Sequence, residues 1–136
     1  MEERRNPVRQ LVGALSALVA SAGVCAAAAC DLPPGTRIES EHLAVSYWTI
    51  PPRIAVGKPF IVELAACPKR GSVNLERVKL DAHMPEHRHG MNYRVKVVSL
   101  GVGRFHSEGW MFHMPGRWEF LFDMGPERLT HSVRVE

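Results

Sequence analysis

The feature that most constrains the fold is a succession of short segments, each interrupted by glycine or proline, that fills the chain from Ala44 to its end. In the segment "RWEFLFDM", Trp118, Phe120 and Phe122 alternate with other residues, which places their side chains on one face of a strand. No segment after residue 30 has a helical period. Short half-buried strands joined by tight turns predict an all-β protein.

Seven segments fit this pattern, and they predict an antiparallel sandwich with immunoglobulin-like or cupredoxin-like topology. The predicted strands cover residues 44–50, 60–67, 77–84, 93–100, 104–112, 117–124 and 129–135. They belong to one predicted domain, residues 43–136. Residues 31–42 contain Pro and Gly without an apolar period, so we predict a linker there.

The first thirty residues have a different character. A short charged stretch precedes a segment without any charge, Leu11 to Ala29, that ends in a run of alanines. This is the pattern of a secretory signal sequence. About 19 apolar residues can also just cross a bilayer, so a retained membrane anchor is the alternative. Both alternatives predict a periplasmic or other extracytoplasmic location for the folded domain.

The cysteines leave two alternatives for the junction between the N-terminal segment and the folded domain. The "AAAC" that ends at Cys30 resembles a bacterial lipobox, which makes Cys30 a candidate for lipidation. If Cys30 is acylated, Cys67 is left as a lone thiol. If it is not, the two could form a disulfide in an oxidising compartment.

Charge argues against a nucleic-acid partner. From Asp31 onward the chain has 14 basic and 12 acidic residues, and they are scattered without a basic stripe.

Histidine and methionine are concentrated in two places, "HMPEHRHGM" at residues 83–91 and "HM" at 113–114. Imidazole and thioether ligands suit copper, and thioether favours Cu(I) over Cu(II). Zinc fits less well, because there is no cysteine pair and no His-x3-His motif on a predicted helix. The candidate metal ligands are His83, Met84, His87, His89, Met91, His113 and Met114.

Each "HM" pair closes a predicted strand, so the two pairs could meet at one rim of the sandwich. Neighbouring strand residues point to opposite faces, and we expect Met84 to be more buried than His83. For the second pair, an inward set containing Met111 and His113 and one containing Phe112 and Met114 are both open.

These residues resemble a known pattern. An "MPxHxHGM" loop followed by "FHMPGxW" is similar to the YtkA-like or FixH-like family of exported bacterial domains, and the likeness spans residues 55–136. It implies an immunoglobulin-like sandwich, often lipid- or membrane-anchored, linked in several lineages to copper handling or cytochrome oxidase assembly. The matching positions are Met84, Pro85, His87, His89, Gly90, Met91, His113, Met114, Pro115, Gly116 and Trp118.

A looser likeness concerns spacing. Periplasmic copper chaperones of the PCu(A)C type have two His/Met patches whose separation is similar to that between Met91 and His113, although the first gap here is shorter.

We therefore expect an exported, membrane-tethered copper-binding accessory protein that passes Cu(I) to a copper-accepting partner such as an oxidase or its assembly factor. The alternative is a protein-interaction module without metal, whose recognition loop is "PEHRHG". We do not expect an enzyme. A histidine-brace oxygenase needs an N-terminal histidine, and the adjacent residues His106 and Ser107 face apart on a strand.

Overall fold

The computed structural model describes residues 30–71 and 73–136, and the predicted signal or anchor segment, residues 1–30, lies outside them except for Cys30. Within these ranges the chain forms nine strands and no helix, and every strand pairing is antiparallel. None of the described residues belongs to a helix that could span a membrane. The strands are β1 Thr36–Glu39, β2 Leu43–Ile50, β3 Pro59–Pro68, β4 Val78–Met84, β5 His89–Gly90, β6 Lys96–Gly101, β7 Arg104–Met111, β8 Gly116–Met124 and β9 Glu127–Val135.

The strands form two sheets that share one core, which confirms the predicted sandwich. One sheet has the order β1-β2-β3-β7-β6 and the other the order β5-β4-β8-β9. If β2 to β9 are lettered A, B, C, C′, D, E, F and G, the sheets are ABED, extended by β1, and C′CFG. This is the strand order of immunoglobulin domains. Of the two predicted topologies, the strand order therefore supports the immunoglobulin-like one.

Alternation along β8 explains how the sheets join. Trp118, Phe120, Phe122 and Met124 are all fully buried, whereas the residues between them are partly exposed. Aromatic rings dominate the contacts between the sheets; the rings of Phe60 and Phe120, for example, lie 6.3 Å apart edge to face. Large aromatic side chains bury much apolar area each, so a domain of this size can form a sufficient core.

Two strands were not predicted. β1 lies inside the segment that was predicted to be a linker, so that prediction is wrong for residues 36–39. β1 forms because its backbone pairs with β2, with Thr36 opposite Tyr47. Three of its four side chains are exposed, so it has no apolar alternation to reveal it. β5 has only two residues, which is too short for a periodic signal.

The pairings define two ends of the sandwich. At one end β4 finishes at Met84 and β8 begins at Gly116; we call this the rim end. At the other end the cysteine of β3, Cys67, lies near the start of β7 at Arg104. We call it the disulfide end, because Cys30 and Cys67 are bonded there with a Cα–Cα distance of 5.8 Å.

This disulfide bears on the predicted lipidation of Cys30. A thioether-linked lipid would need the same sulfur atom that is bonded to Cys67. The two modifications exclude each other. Of the two alternatives that the sequence left open, the structure contains the disulfide, and the lipidation of Cys30 stays a prediction.

We expect the disulfide to contribute substantially to stability. It closes a separation of 37 residues, for which loop-closure entropy gives about 3–4 kcal/mol. The free energies of unfolding in urea of the oxidised protein and of a Cys67→Ser variant should differ by about this amount. Intact mass measured with and without reductant checks the bond itself. An acylated Cys30, or no difference in stability, would contradict the prediction.

Candidate metal site at the rim end

The loop between β4 and β5 places the first group of candidate ligands. The His87 N–H donates to the Met84 carbonyl at 3.2 Å, which closes a turn that begins at Met84 and has Pro85 at its second position. Arg88 then adopts a left-handed conformation with φ of 54°. A four-residue loop of this kind reverses the chain and brings His89 opposite Met84 in the register.

Register decides which side chains point inward. Directly opposite residues of an antiparallel pair share a face, so His89 lies on the same face as the fully buried Met84. The Met91 N–H donates to the Ala82 carbonyl at 3.3 Å, which continues the pairing past β5. Met91 is partly buried and packs against the core. His89 and Met91, two residues apart, are thus both candidates for the inner side of this edge.

Three imidazoles meet at the rim end. The ring centre of His89 lies 5.8 Å from that of His87 and 5.2 Å from that of His113. Two imidazoles that share one ion at metal–nitrogen distances of about 2.0–2.1 Å have ring centres roughly 5–6 Å apart. The spacing of His89 and His113 therefore suits a shared ion, and the fold brings these residues together from β5 and from the segment after β7.

Trp118 forms the floor of this cluster. Its ring centre lies 6.0 Å from that of His89 and 5.4 Å from that of His113, both edge to face. It stacks on Phe112 at 4.4 Å with an interplanar angle of 5°. Its Nε1 donates to the Met114 carbonyl at 3.0 Å, which holds the loop after β7. Trp118 thus fixes both patches of candidate ligands relative to each other.

The hydrogen bonds of the two central imidazoles leave nitrogen lone pairs free. His89 Nδ1 lies 3.1 Å from the Gly90 carbonyl oxygen, which can only accept a hydrogen bond. Nδ1 must therefore carry the proton, and in the neutral ring Nε2 has a free lone pair. His113 Nδ1 is buried without a hydrogen-bond partner, the one such side-chain atom within the described residues. A buried polar atom of this kind is uncommon and is satisfied when it binds a cation.

The three candidate methionines are neighbours of His89 or His113 in register or in sequence, and they differ in burial. Met84 is fully buried, and its Cε would lie 2.7 Å from a Cβ added to Gly116. Gly116 has φ of 129°, so the start of β8 needs glycine both for its conformation and for the space that Met84 fills. Met91 and Met114 are partly buried at the margin of the core. Met91 also lines a lateral groove beside Leu80.

Not every candidate joins the cluster. The His83 side chain is on the opposite face from Met84, and its Nε2 lies 2.9 Å from Glu119 Oε1. The expected difference in burial between these neighbours is confirmed. Among the described residues, no group of three or more His, Cys, Asp or Glu side chains is arranged to hold a metal ion. The three imidazoles alone are thus not a preformed cage.

The structure also shows which residues near the second pair, His113 and Met114, point toward the core. Trp110 and Phe112 are fully buried, whereas Met111, His113 and Met114 are partly exposed. The inward set is therefore the one that contains Phe112, and His113 reaches the cluster because the chain leaves strand geometry after β7. The alternation that places Trp118 on one face of β8 with Phe120 and Phe122 is confirmed by its complete burial, but its contact with two imidazoles was not predicted.

The remaining imidazoles lie outside the rim end, each with its own partner. The Tyr47 hydroxyl lies 2.6 Å from His131 Nδ1, and burial raises the pKa of Tyr47 to about 12. His42 Nδ1 lies 2.8 Å from Glu127 Oε1. Sequence alternation did not indicate these partners, because each comes from a distant strand.

His106 gives a pH-dependent contribution to stability. Its Nδ1 lies 2.6 Å from Glu63 Oε1 and its Nε2 lies 3.0 Å from Glu108 Oε1. The hydrogen bond with Glu63, followed by that with Glu108, raises the pKa of His106 above 6.5. The folded state therefore binds this proton more tightly than the unfolded state does.

We expect the stabilisation from His106 to be fully present below pH 6.5 and to be lost as the pH rises through the raised pKa. Urea midpoints measured across this window should fall for the wild-type protein. They should fall less for His106→Gln, which cannot be protonated. Parallel pH profiles for the two proteins would contradict the prediction.

The fold and this cluster together define the class of molecule: an immunoglobulin-like sandwich with imidazoles and thioethers gathered at one end. No family model, curated protein or solved structure gave a significant match to the chain.

Proposed function

We propose that this protein is an exported, membrane-tethered accessory protein that holds Cu(I) at its rim end and passes it to a copper-accepting partner. The observation that carries the proposal is the juxtaposition of His89 with His113, whose buried Nδ1 has no hydrogen-bond partner. Met84 is opposite His89 in the strand register, and Met114 follows His113 in the chain, so both are candidates to supply a thioether. Imidazole and thioether together are a ligand set that suits Cu(I). The protein acts without catalysis in this proposal.

The proposed coordination is low, with His89 Nε2, His113 Nδ1 and one thioether from Met84, Met91 or Met114. A set of two imidazoles and a thioether agrees with the finding that no three His, Cys, Asp or Glu side chains in the described ranges form a site by themselves. His87 is exposed at the solvent side of the cluster, so an incoming ion or a ligand from the partner would contact it before His89.

Transfer of Cu(I) requires that the partner's ligands can reach the bound ion. His89 and His113 are partly exposed, and the loop that contains Glu86, His87 and Arg88 is exposed. A ligand of the partner can therefore approach the ion from this side before the protein releases it. An oxidase or an oxidase assembly factor is the kind of partner that the resemblance to the YtkA-like or FixH-like family implies.

Anaerobic titration with Cu(I) against a competing chelator tests the proposal. We expect one equivalent of Cu(I) to bind. Copper-edge X-ray absorption should then report both nitrogen and sulfur neighbours. Preference for Zn(II), coordination by oxygen and nitrogen alone, or no binding above that of the chelator would contradict the proposal.

The alternative is a metal-free interaction module, and one observation favours it. Arg117 Nε donates to Glu86 Oε1 at 2.9 Å, so an ion pair already orders the exposed loop without an ion. In that case capture of the partner should be unchanged by a Cu(I) chelator and abolished by Arg88→Glu. Under the copper proposal, the chelator prevents transfer.

A further inference from the structure

The disulfide end carries an apolar projection that the proposed copper site does not use. The hairpin between β6 and β7 exposes 61% of Leu100 and all of Val102. Val102 lies at the tip, between Gly101 and Gly103, which both have positive φ. Large apolar side chains at the tip of a hairpin have no core to pack against, so their exposure costs free energy unless another surface covers them.

An apolar groove continues from this tip across the disulfide end. Its volume is about 390 Å³, and its lining includes Cys30, Pro68, Val73, Leu75, Val102 and Phe105. The Ala66 N–H donates to the Gly103 carbonyl at 2.7 Å, which fixes the hairpin tip against β3 beside the groove. The tip and the groove therefore form one surface, which we call the hairpin face.

The same face marks where the preceding segment joins the domain. Cys30 lines the groove and follows directly on the uncharged stretch from Leu11 to Ala29. The disulfide fixes Cys30 to β3, so this junction cannot move away from the hairpin face. If the stretch is held in a bilayer, the hairpin face is the part of the described domain nearest to the lipid.

Charge does not oppose this contact and does not drive it. Around the disulfide end the exposed arginines at positions 70, 77 and 104 are matched by the exposed acidic residues at positions 31, 41 and 76. Attraction to anionic headgroups is therefore weak, and apolar burial at the lipid interface is the driving force.

We propose that the hairpin face, led by Leu100 and Val102, rests in the surface of the bilayer that anchors residues 11–29. Because β3 has 10 residues, the rim end then stands about 30 Å above the membrane. The cluster of His89 and His113 is directed away from the lipid, toward a partner whose acceptor site lies at that height. This orientation rests on the membrane tether of the proposed function, but it does not depend on whether the rim end binds copper.

Fluorescence quenching by lipid tests the proposal. The full chain, with residues 1–29 verified by mass, is reconstituted into phosphatidylcholine vesicles that contain brominated acyl chains. Two variants are compared, Val102→Trp in the hairpin and Arg88→Trp in the rim loop, and the signal of the native tryptophans is subtracted. We expect the indole at position 102 to be quenched several-fold more than the indole at position 88.

Equal quenching of the two indoles, or none at position 102, would overturn the proposal. An indole at position 102 that is shielded from water but not quenched by bromine, together with a cross-linked dimer, would assign the hairpin face to a second copy instead. A Leu100→Ser/Val102→Ser variant should keep its circular dichroism, because both side chains are exposed, and its Cu(I) titration should be unchanged. Loss of the membrane contact with normal Cu(I) binding, or the reverse, would therefore show which of the two proposals fails.

Discussion

Replacement of both His89 and His113 by alanine is expected to lower the affinity for Cu(I) at least about 100-fold. Loss of a residue that only orients a metal ligand typically costs 10- to 100-fold in affinity, and loss of two ligands costs more. The ring centres of these residues lie 5.2 Å apart; His113 Nδ1 has no hydrogen-bond partner, and the bond from His89 Nδ1 to Gly90 leaves His89 Nε2 with a free lone pair. Competition with a Cu(I) chelator under anaerobic conditions measures the change.

The matched control removes the same number of imidazoles elsewhere. His83 and His106 both lie on outer faces and pair with glutamates. A His83→Ala/His106→Ala variant should therefore bind Cu(I) as the wild-type protein does. Equal losses in the two double variants would mean that Cu(I) binds nonspecifically to imidazole. Circular dichroism of each variant, together with the conservative His89→Gln variant, separates loss of a ligand from loss of the fold.

The second large effect concerns the floor of the site. Trp118→Ala is expected to destabilise the domain by about 3–5 kcal/mol, since the side chain is fully buried and its removal leaves a cavity. The change also removes the stack on Phe112 and the hydrogen bond to the Met114 carbonyl. Because domains of this size have a total stability of about 5–15 kcal/mol, the variant should lie close to unfolding.

Urea unfolding measures this loss, and two other variants define its origin. Trp118→Phe retains the stack and should recover most of the stability, but it removes the Nε1–H donor that holds the loop at Met114. We therefore expect Trp118→Phe to weaken Cu(I) binding clearly, whereas its free energy of unfolding should stay close to that of the wild-type protein. Trp48→Ala, on a partly exposed residue of β2, should cost much less. A comparable loss at positions 48 and 118 would contradict the assignment of Trp118 as the floor.

Much of the fold was predictable from the sequence because its signals are local. The alternation of Trp118, Phe120 and Phe122 with partly exposed residues identifies β8 wherever that strand lies in the sheet. β1 gives no such signal, because it is defined by hydrogen bonds to β2 rather than by its own side chains. The predicted strand at residues 93–100 begins only at Lys96, because the residues before it form an irregular connection between the sheets.

The candidate site was predicted less completely. The sequence indicated that His83 and Met84 face apart, and it correctly favoured Met84 as the buried member. It did not identify Glu119 as the partner of His83, although both face outward on adjacent strands. Nor did it choose between a lipid and a disulfide at Cys30, since that choice depends on the position of Cys67 at the end of β3.

The sequence by itself determined that this chain is an antiparallel β protein and that its histidine and methionine residues are concentrated in two short patches, because alternation and composition are properties of neighbouring residues. Only the tertiary structure decided that His89 and His113 meet above Trp118 while His83 turns away. Distances between residues that are remote in the chain depend on strand register and sheet order, and metal coordination depends on those distances.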